Sequence, residues 1–312
     1  MSAQPVPPTN ETIVEATRVL RAGGLVAMPT ETVYGLAADA ANGEAVARLY
    51  AAKGRPSFNP LIAHVASFEM ATRQGVFGAK ARALIEAFWP GPLTLVVDVS
   101  PMGTVSDLAR AGLDSIAVRM PAHPVAKQLL EAFDAPLVAP SANPSGQISP
   151  TTAQHVAQDM ADKVDLILDG GPCAAGIEST IIDARGDRPA LLRPGSLALE
   201  DIESVWPGLI RPGLDPDRPH SPGQLLRHYA PAARLRLNAA AAQPGEAYLG
   251  FGPGPATMNL SATGNLSAAA ANLFSMLREL DADYECIAVA PIPDKGLGEA
   301  INDRLTRAAK PS

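Results

Sequence analysis

Met28-Pro-Thr-Glu-Thr-Val-Tyr-Gly-Leu36 and, further on, Lys53-Gly-Arg-Pro-Ser-Phe-Asn-Pro-Leu61 are the stretches on which the reading of this chain turns. The first closes an apolar run with hydroxyls, a carboxylate and a tyrosine. The second sets Lys53 and Arg55 about a glycine and then stops the chain at Pro56 and Pro60. A helix end has no need of two cations in a Gly/Pro frame. A polyphosphate site built without a P-loop does, because Arg offers a planar fork of donors and Lys a compact charge. The proline rings fix the backbone and so the direction in which the cations point. Taken alone, Lys53 would cap the carbonyls of its own helix and Arg55 would lie on the surface.

Around these stretches lie 312 residues, a length that suggests about two domains. Hydrophobic residues make up 47% and charged residues 18%, a globular rather than a disordered balance. Thirty prolines and 26 glycines imply many rigid turns. A net charge of -7 argues against a general nucleic-acid coat but leaves room for a small basic pocket. Cys173 and Cys286 have no metal-ligand spacing; a disulfide is open, and free thiols in a reducing cytoplasm fit better. The start of the chain has neither a basic nor an apolar signal region, and no run is long enough to span a bilayer. A cytoplasmic protein without membrane contact is expected.

Apolar periodicity predicts helices over 11–21, 44–52, 79–88, 125–133 and 153–160, with Asn10 as the first N-cap. Strands are predicted over 25–28, 61–65, 93–99, 115–120, 136–139, 166–168, 180–183 and 190–193. Alternation followed by closely spaced strands implies α/β layering on a mixed sheet. Prolines and glycines then break 207–231 repeatedly, as in a linker. Strands at 234–237, 247–251 and 287–290, with helices at 266–280 and 299–309, form a second, smaller unit. The expected division is 1–205, a linker and lid at 206–232, and 233–312.

The chain has no P-loop signature, no HExxH and no GxSxG, so an ATP site must come from dispersed groups. Gly250-Phe-Gly-Pro-Gly254 reads as a turn. Pro140-Ser-Ala-Asn-Pro-Ser-Gly-Gln-Ile-Ser149 follows an apolar strand; its N–H and O–H groups can hold an anion or simply form a turn. Arg119 ends the apolar strand Ser115-Ile-Ala-Val-Arg-Met-Pro121 and needs a partner, either an acidic side chain or a substrate carboxylate. Gly176-Ile-Glu-Ser-Thr-Ile-Ile-Asp183 and Leu191-Leu-Arg-Pro-Gly-Ser196 each put polar groups at a strand edge. His64, inside a strand, reads first as a satisfied core residue unless a ligand reaches it.

Together and in this order, PTETVYGL, KGRPxxNPL, AVRMP, APSAN, GIEST and LLRPGS closely resemble the long form of the threonylcarbamoyl-AMP synthase family, with its N-terminal YrdC-like domain. The resemblance continues through Ser221-Pro-Gly-Gln-Leu-Leu-Arg-His-Tyr-Ala-Pro231 and Gly296-Leu-Gly-Glu-Ala-Ile-Asn-Asp-Arg-Leu305, so it covers nearly the whole chain. It implies a twisted mixed sheet with flanking helices and a concave cavity, then a smaller Rossmann-like α/β domain. It implies a nucleotidyltransferase that joins L-threonine, bicarbonate or carbon dioxide, and ATP into threonylcarbamoyl-AMP and pyrophosphate. Mg²⁺ would arrive with the nucleotide, and no structural metal is expected. The product would pass to threonylcarbamoyl-transfer proteins that modify tRNA, without stable nucleic-acid binding by this chain.

Carried over by motif position, the resemblance places threonine against Thr32, His64, Arg119, the backbone of Ala139, and Ser179. ATP would meet Arg55, Asn59, Ser115, Ser141, Ser149, Arg193 and Tyr229, with Lys53 and Arg55 acting on the phosphates. Lys53 is expected to be an exposed helix-end residue. The Ser221 to Pro231 loop is expected to be mobile without ligand and to close over ATP. One departure stands out: the family loop commonly reads SPGMKYKHYAP, and here its middle is Gln224-Leu225-Leu226-Arg227. Two other readings stay open. An RNA-binding module would fit a positive cavity but not 4% aromatics. A carbamoyl-transfer enzyme of hydrogenase maturation would need zinc-finger cysteines that two distant ones do not supply.

Overall fold

Thr9, not Asn10, starts the first helix: its hydroxyl accepts from the Thr12 N–H at 3.3 Å, while Asn10 accepts from Gln128. The computed structural model describes residues 2–212 and 228–310. The chain begins β1 (Pro5–Val6), α1 (Asn10–Arg21), β2 (Val26–Met28), β3 (Gly35–Asp39), α2 (Gly43–Lys53), β4 (Ile62–His64), α3 (Phe68–Gln74) and β5 (Gly75–Val76). It continues α4 (Ala79–Phe88), β6 (Leu93–Val99), β7 (Ser115–Arg119), α5 (Pro124–Phe133), β8 (Leu137–Val138), α6 (Ala153–Met160), β9 (Leu166–Leu168), β10 (Thr180–Asp183), β11 (Ala190–Arg193) and α7 (Leu199–Val205). The last part holds β12 (Arg234–Arg236), β13 (Ala247–Gly250), β14 (Met258–Asn259), α8 (Leu266–Asp283), β15 (Cys286–Val289) and α9 (Leu297–Ala308).

The larger sheet runs β1-β9-β2-β3-β8-β4-β7-β6-β10-β11, with β5 on the side of β6. It is mixed, as expected: β4 lies parallel to β7, and β8 antiparallel to β4. Its central strands are buried on both faces, which explains their nearly unbroken apolar sequences. The smaller sheet, β12-β15-β13-β14, is wholly parallel and packs on α8 and α9, in keeping with a Rossmann-like layering.

The two parts share a core. Val33, Ile148 and Ile177 belong to the larger part, yet they pack with Leu273, Phe274 and Leu277 of α8. Gly176 makes this approach feasible: it has φ +71, and a Cβ there would sit 2.5 Å from Ala271 Cα and from the Ala270 carbonyl. Arg278 pairs with Asp159 at 2.6 Å, and Thr151 meets Ser275 at 2.9 Å. The expected linker is anchored at its near end, where Trp206 is buried and Ile210 bonds to Pro189 and Leu191. Residues 213–227, and with them the Gln224 to Arg227 departure, lie outside the described residues.

Candidate functional site

Two neighbouring parallel strands create the first half of the site. In the register of β4 and β7, His64 stands beside Arg119, although the two are far apart in sequence. Arg119 is held on three sides. Its Nε donates to the Gly91 carbonyl at 3.2 Å, Nη1 to Thr32 Oγ1 at 2.9 Å, and Nη2 to Glu31 Oε1 at 2.7 Å. Burial pushes the Glu31 carboxyl up, but the Arg119 charge, the hydrogen bond to Arg119 and the backbone N–H groups of Glu31 and Ala122 together hold it below its usual range. Burial, then the charge of Arg119, lowers His64 to about 3, so its ring is neutral at physiological pH.

The second half comes from the Gly/Pro-framed segment, the loop after β8 and the strand ends of β10 and β11. α2 is capped by Asn42 and ended by Gly54 at φ +58, which turns Arg55 back so that its N–H meets the Tyr50 carbonyl. Arg55 then donates to the carbonyls of Asn59 and Pro60. Burial lowers it to about 10, which leaves it charged. Arg193 Nη2 reaches Ser179 through both its carbonyl, at 2.9 Å, and its hydroxyl, at 3.1 Å. The Ser179 hydroxyl also shares a hydrogen bond with Thr94.

Thr32, Arg55, His64, Arg119, Ala139, Ser141, Ser179, Arg193 and Tyr229 therefore line one narrow polar cleft, together with Glu178 and His228. About 40 Å³ of it is open to water. A broader depression of about 650 Å³ lies elsewhere, around Ser145 and Asp281, and its arginine, Arg278, is already paired with Asp159.

Tyr229 sits 1% exposed in the left-handed region at φ 62, where a bulky side chain is strained. It is stacked on Phe274 and set edge-on to His228. Its hydroxyl, the His228 Nδ1 and both polar atoms of the Asn59 amide are buried without a hydrogen-bond partner among the described residues. Such atoms cost about 1–3 kcal/mol each, and those of His228 and Tyr229 belong to residues that line the cleft, where a ligand can supply the missing partner.

Four sequence-chosen residues stand apart from the lining. Ser115 begins β7, the opposite end from Arg119, about 13 Å away at the rise of a strand. Asn59 is buried and absent from the lining, and Ser149 gives its hydroxyl to Glu178 at 2.5 Å. Lys53 is the clearest correction. It is 3% exposed, not a surface lysine, and its ammonium donates to the carbonyls of Ser141 and Asn143. Burial and the neighbouring Arg55 push its pKa well down. The reason is local: Gly54 ends α2 against the loop after β8, and that loop bonds back through Ser145 N to the Lys53 carbonyl at 2.8 Å. Glu31, Glu178 and Arg304 were not singled out from sequence. Arg304 had a signal, since it interrupts the apolar stripe Ala300, Ile301, Leu305, Ala308 of α9.

Buried arginines and hydroxyls at the strand ends of a mixed sheet suit a site for anionic ligands. A family model described as telomere recombination, covering Sua5, YciO and YrdC proteins, matches residues 18–195. A second, described as the threonylcarbamoyl-AMP synthase C-terminal domain, matches residues 197–310. The threonylcarbamoyl-AMP synthase of Pyrococcus abyssi is 42% identical across 94% of this chain and 93% of that relative. The Bacillus subtilis enzyme of the same name is 40% identical across 95% and 92%. The crystal structure of P. abyssi Sua5 complexed with L-threonine superposes with a TM-score of 0.90 at 39% identity, covering 99% of this chain and 96% of that one. The chain belongs to the threonylcarbamoyl-AMP synthase family, in its two-domain form. The RNA-module and hydrogenase-maturation readings are not favoured, because the matches run through both domains.

Proposed function

We propose that this chain joins L-threonine, bicarbonate or carbon dioxide, and Mg²⁺-bound ATP into L-threonylcarbamoyl-AMP and pyrophosphate, the acyl donor for threonylcarbamoyladenosine in tRNA. The observation that carries the reading is the convergence of Arg55, Arg119 and Arg193 with His64 and Ser179 in one buried cleft. The threonine amine captures carbon dioxide and loses a proton, giving a carbamate. A carbamate oxygen attacks the α-phosphorus, the bond to the bridging oxygen breaks, and pyrophosphate leaves. No protein nucleophile is needed, so catalysis rests on alignment and charge.

Arg119, locked by Glu31 and Thr32, presents its guanidinium to the threonine carboxylate. A His64 titrating near 3 takes up no proton at neutral pH; it orients threonine rather than acting as a base. Arg55 and Arg193 face the phosphates, with Ser141 beside them. Asn59 and Ser149 act from outside the lining, and Ser115 serves the nucleotide only if the strand end it occupies is reached. Mg²⁺ belongs to the nucleotide substrate. Glu178 is the one acidic side chain lining the cleft among the described residues, and both its oxygens are engaged. A cleft this narrow must widen to admit ATP, and His228 and Tyr229, which line it, are the groups that would meet the nucleotide. Downstream, a transfer protein takes the labile anhydride. The compartment proposed for the reaction is the cytoplasm.

Pyrophosphate release should require threonine and bicarbonate together. Serine, lacking the methyl, should be slower by about 1–3 kcal/mol in transition-state terms, roughly 10–200-fold. Equal release with any amino acid would remove the threonine assignment.

A further inference from the structure

Arg304 of the second domain stands against Glu178 and Tyr229, two residues that line the cleft. Arg304, on α9, is 1% exposed and reaches across to the wall formed by the first domain. Its Nε donates to Glu178 Oε2 at 2.9 Å, and its Nη1 to the Pro194 carbonyl at 2.6 Å, immediately after Arg193. Its guanidinium carbon lies 5.1 Å from the centre of the Tyr229 ring. Asp303 anchors Nη1 from its own helix at 3.0 Å.

Glu178 poses a charge problem that Arg304 resolves. A carboxylate lining a cleft for a triphosphate opposes its ligand. Burial pushes the Glu178 carboxyl up, yet Arg304, Arg193 and the Ser149 hydroxyl together hold it below its usual range, so the group is ionised. Ser149 donates to Oε1 and Arg304 to Oε2, so both oxygens are already engaged within the protein. A buried charge with its partner removed remains uncompensated in low dielectric.

We propose that Arg304 is a positioning residue that the second domain contributes to the cleft: it cancels the charge of Glu178 on the nucleotide side and holds Tyr229 and the Pro194 turn in place for ATP. This rests on the cleft being the ATP site. It gives the second domain a task in the chemistry itself.

The test uses the full chain, pyrophosphate release, and separate titrations of ATP and threonine. R304M should raise KM for ATP about tenfold or more and move KM for threonine far less, the scale of losing one member of a buried charge pair. R304M/E178Q should recover most of that loss, because the stranded carboxylate is gone. If R304M does not fold, E178Q alone decides: KM for ATP should fall below wild type, since the guanidinium is no longer cancelled. A double variant no better than R304M, a KM for ATP that stays put while thermal stability drops, or a rise in KM for ATP in E178Q would each overturn the proposal. A wild-type protein that releases no pyrophosphate would instead refute the activity itself.

Discussion

Lys53 offers the sharpest test of the site's architecture. Its ammonium is buried and bonded to the carbonyls of Ser141 and Asn143, the loop that carries the Ser141 hydroxyl into the cleft. Lys53→Ala removes both donors. Each carbonyl left without a partner costs about 1–3 kcal/mol, and the relief of no longer burying a charge offsets part of this. The net loss should be about 3 kcal/mol. For a chain of this size that corresponds to a fall in Tm of about 4–5 °C. Turnover should drop as well, by roughly 10²–10³, because the anion-binding loop loses its anchor. Thermal unfolding and pyrophosphate release, measured on the same preparation, check both. Lost turnover with an unchanged Tm would mean that the ammonium acts on phosphate directly and that its contacts with the two carbonyls carry no stability. A protein unchanged in both would remove Lys53 from the site.

Arg119→Ala should raise KM for threonine at least tenfold while ATP affinity stays near wild type; the reverse split would exchange the two halves of the cleft. His64 and His228 titrate near 3 when folded against 6.5 ordinarily, so the unfolded chain binds more protons below pH 6.5 and stability falls as pH drops. Each should cost about 2 kcal/mol between pH 7 and 5, so His64→Gln should flatten the drop in unfolding free energy from urea titrations by that amount. An equal drop in wild type and variant would contradict the assignment. A chain ended after Ser196 should make little product, because Val33, Ile148 and Ile177 lose the helix that covers them. Full activity in that chain and in Tyr229→Ala would show that neither that cover nor Tyr229 is needed.

Much of this was readable in the sequence where a signal is local. The strands at 93–99, 166–168, 180–183 and 190–193 and the helices at 79–88 and 153–160 match residue for residue, because each is an apolar run or stripe cut by clear breakers. β3 was missed: Gly35-Leu-Ala-Ala-Asp39 has few β-branched residues, and what makes it a strand is its pairing with β2 and β8. α7 was missed because it has only seven residues and lies just past the Pro194-Gly195 turn, with Ser196, Leu197 and Ala198 between. Arg119 announced itself as a charge in an apolar strand. Its lock, Glu31, did not, since a carboxylate in PTETVYGL looks like any exposed acid until β7 brings Arg119 against it.

The same limit explains Lys53 and Arg304, and it shows how the cleft is built. A lysine at a helix end is ordinarily solvated, and only the return of the loop after β8 over α2 turns its charge inward. An arginine on the buried face of α9 is costly on its own and becomes tolerable once Glu178 arrives from another domain. In both cases the cation is fixed by a segment distant in sequence, and in both it fixes that segment in return. The cleft is therefore held less by the residues that face the ligand than by the charged groups behind them. Its nucleotide side should be sensitive to substitutions that never touch ATP, Arg304 foremost, and its threonine side to the loss of Glu31 as much as of Arg119.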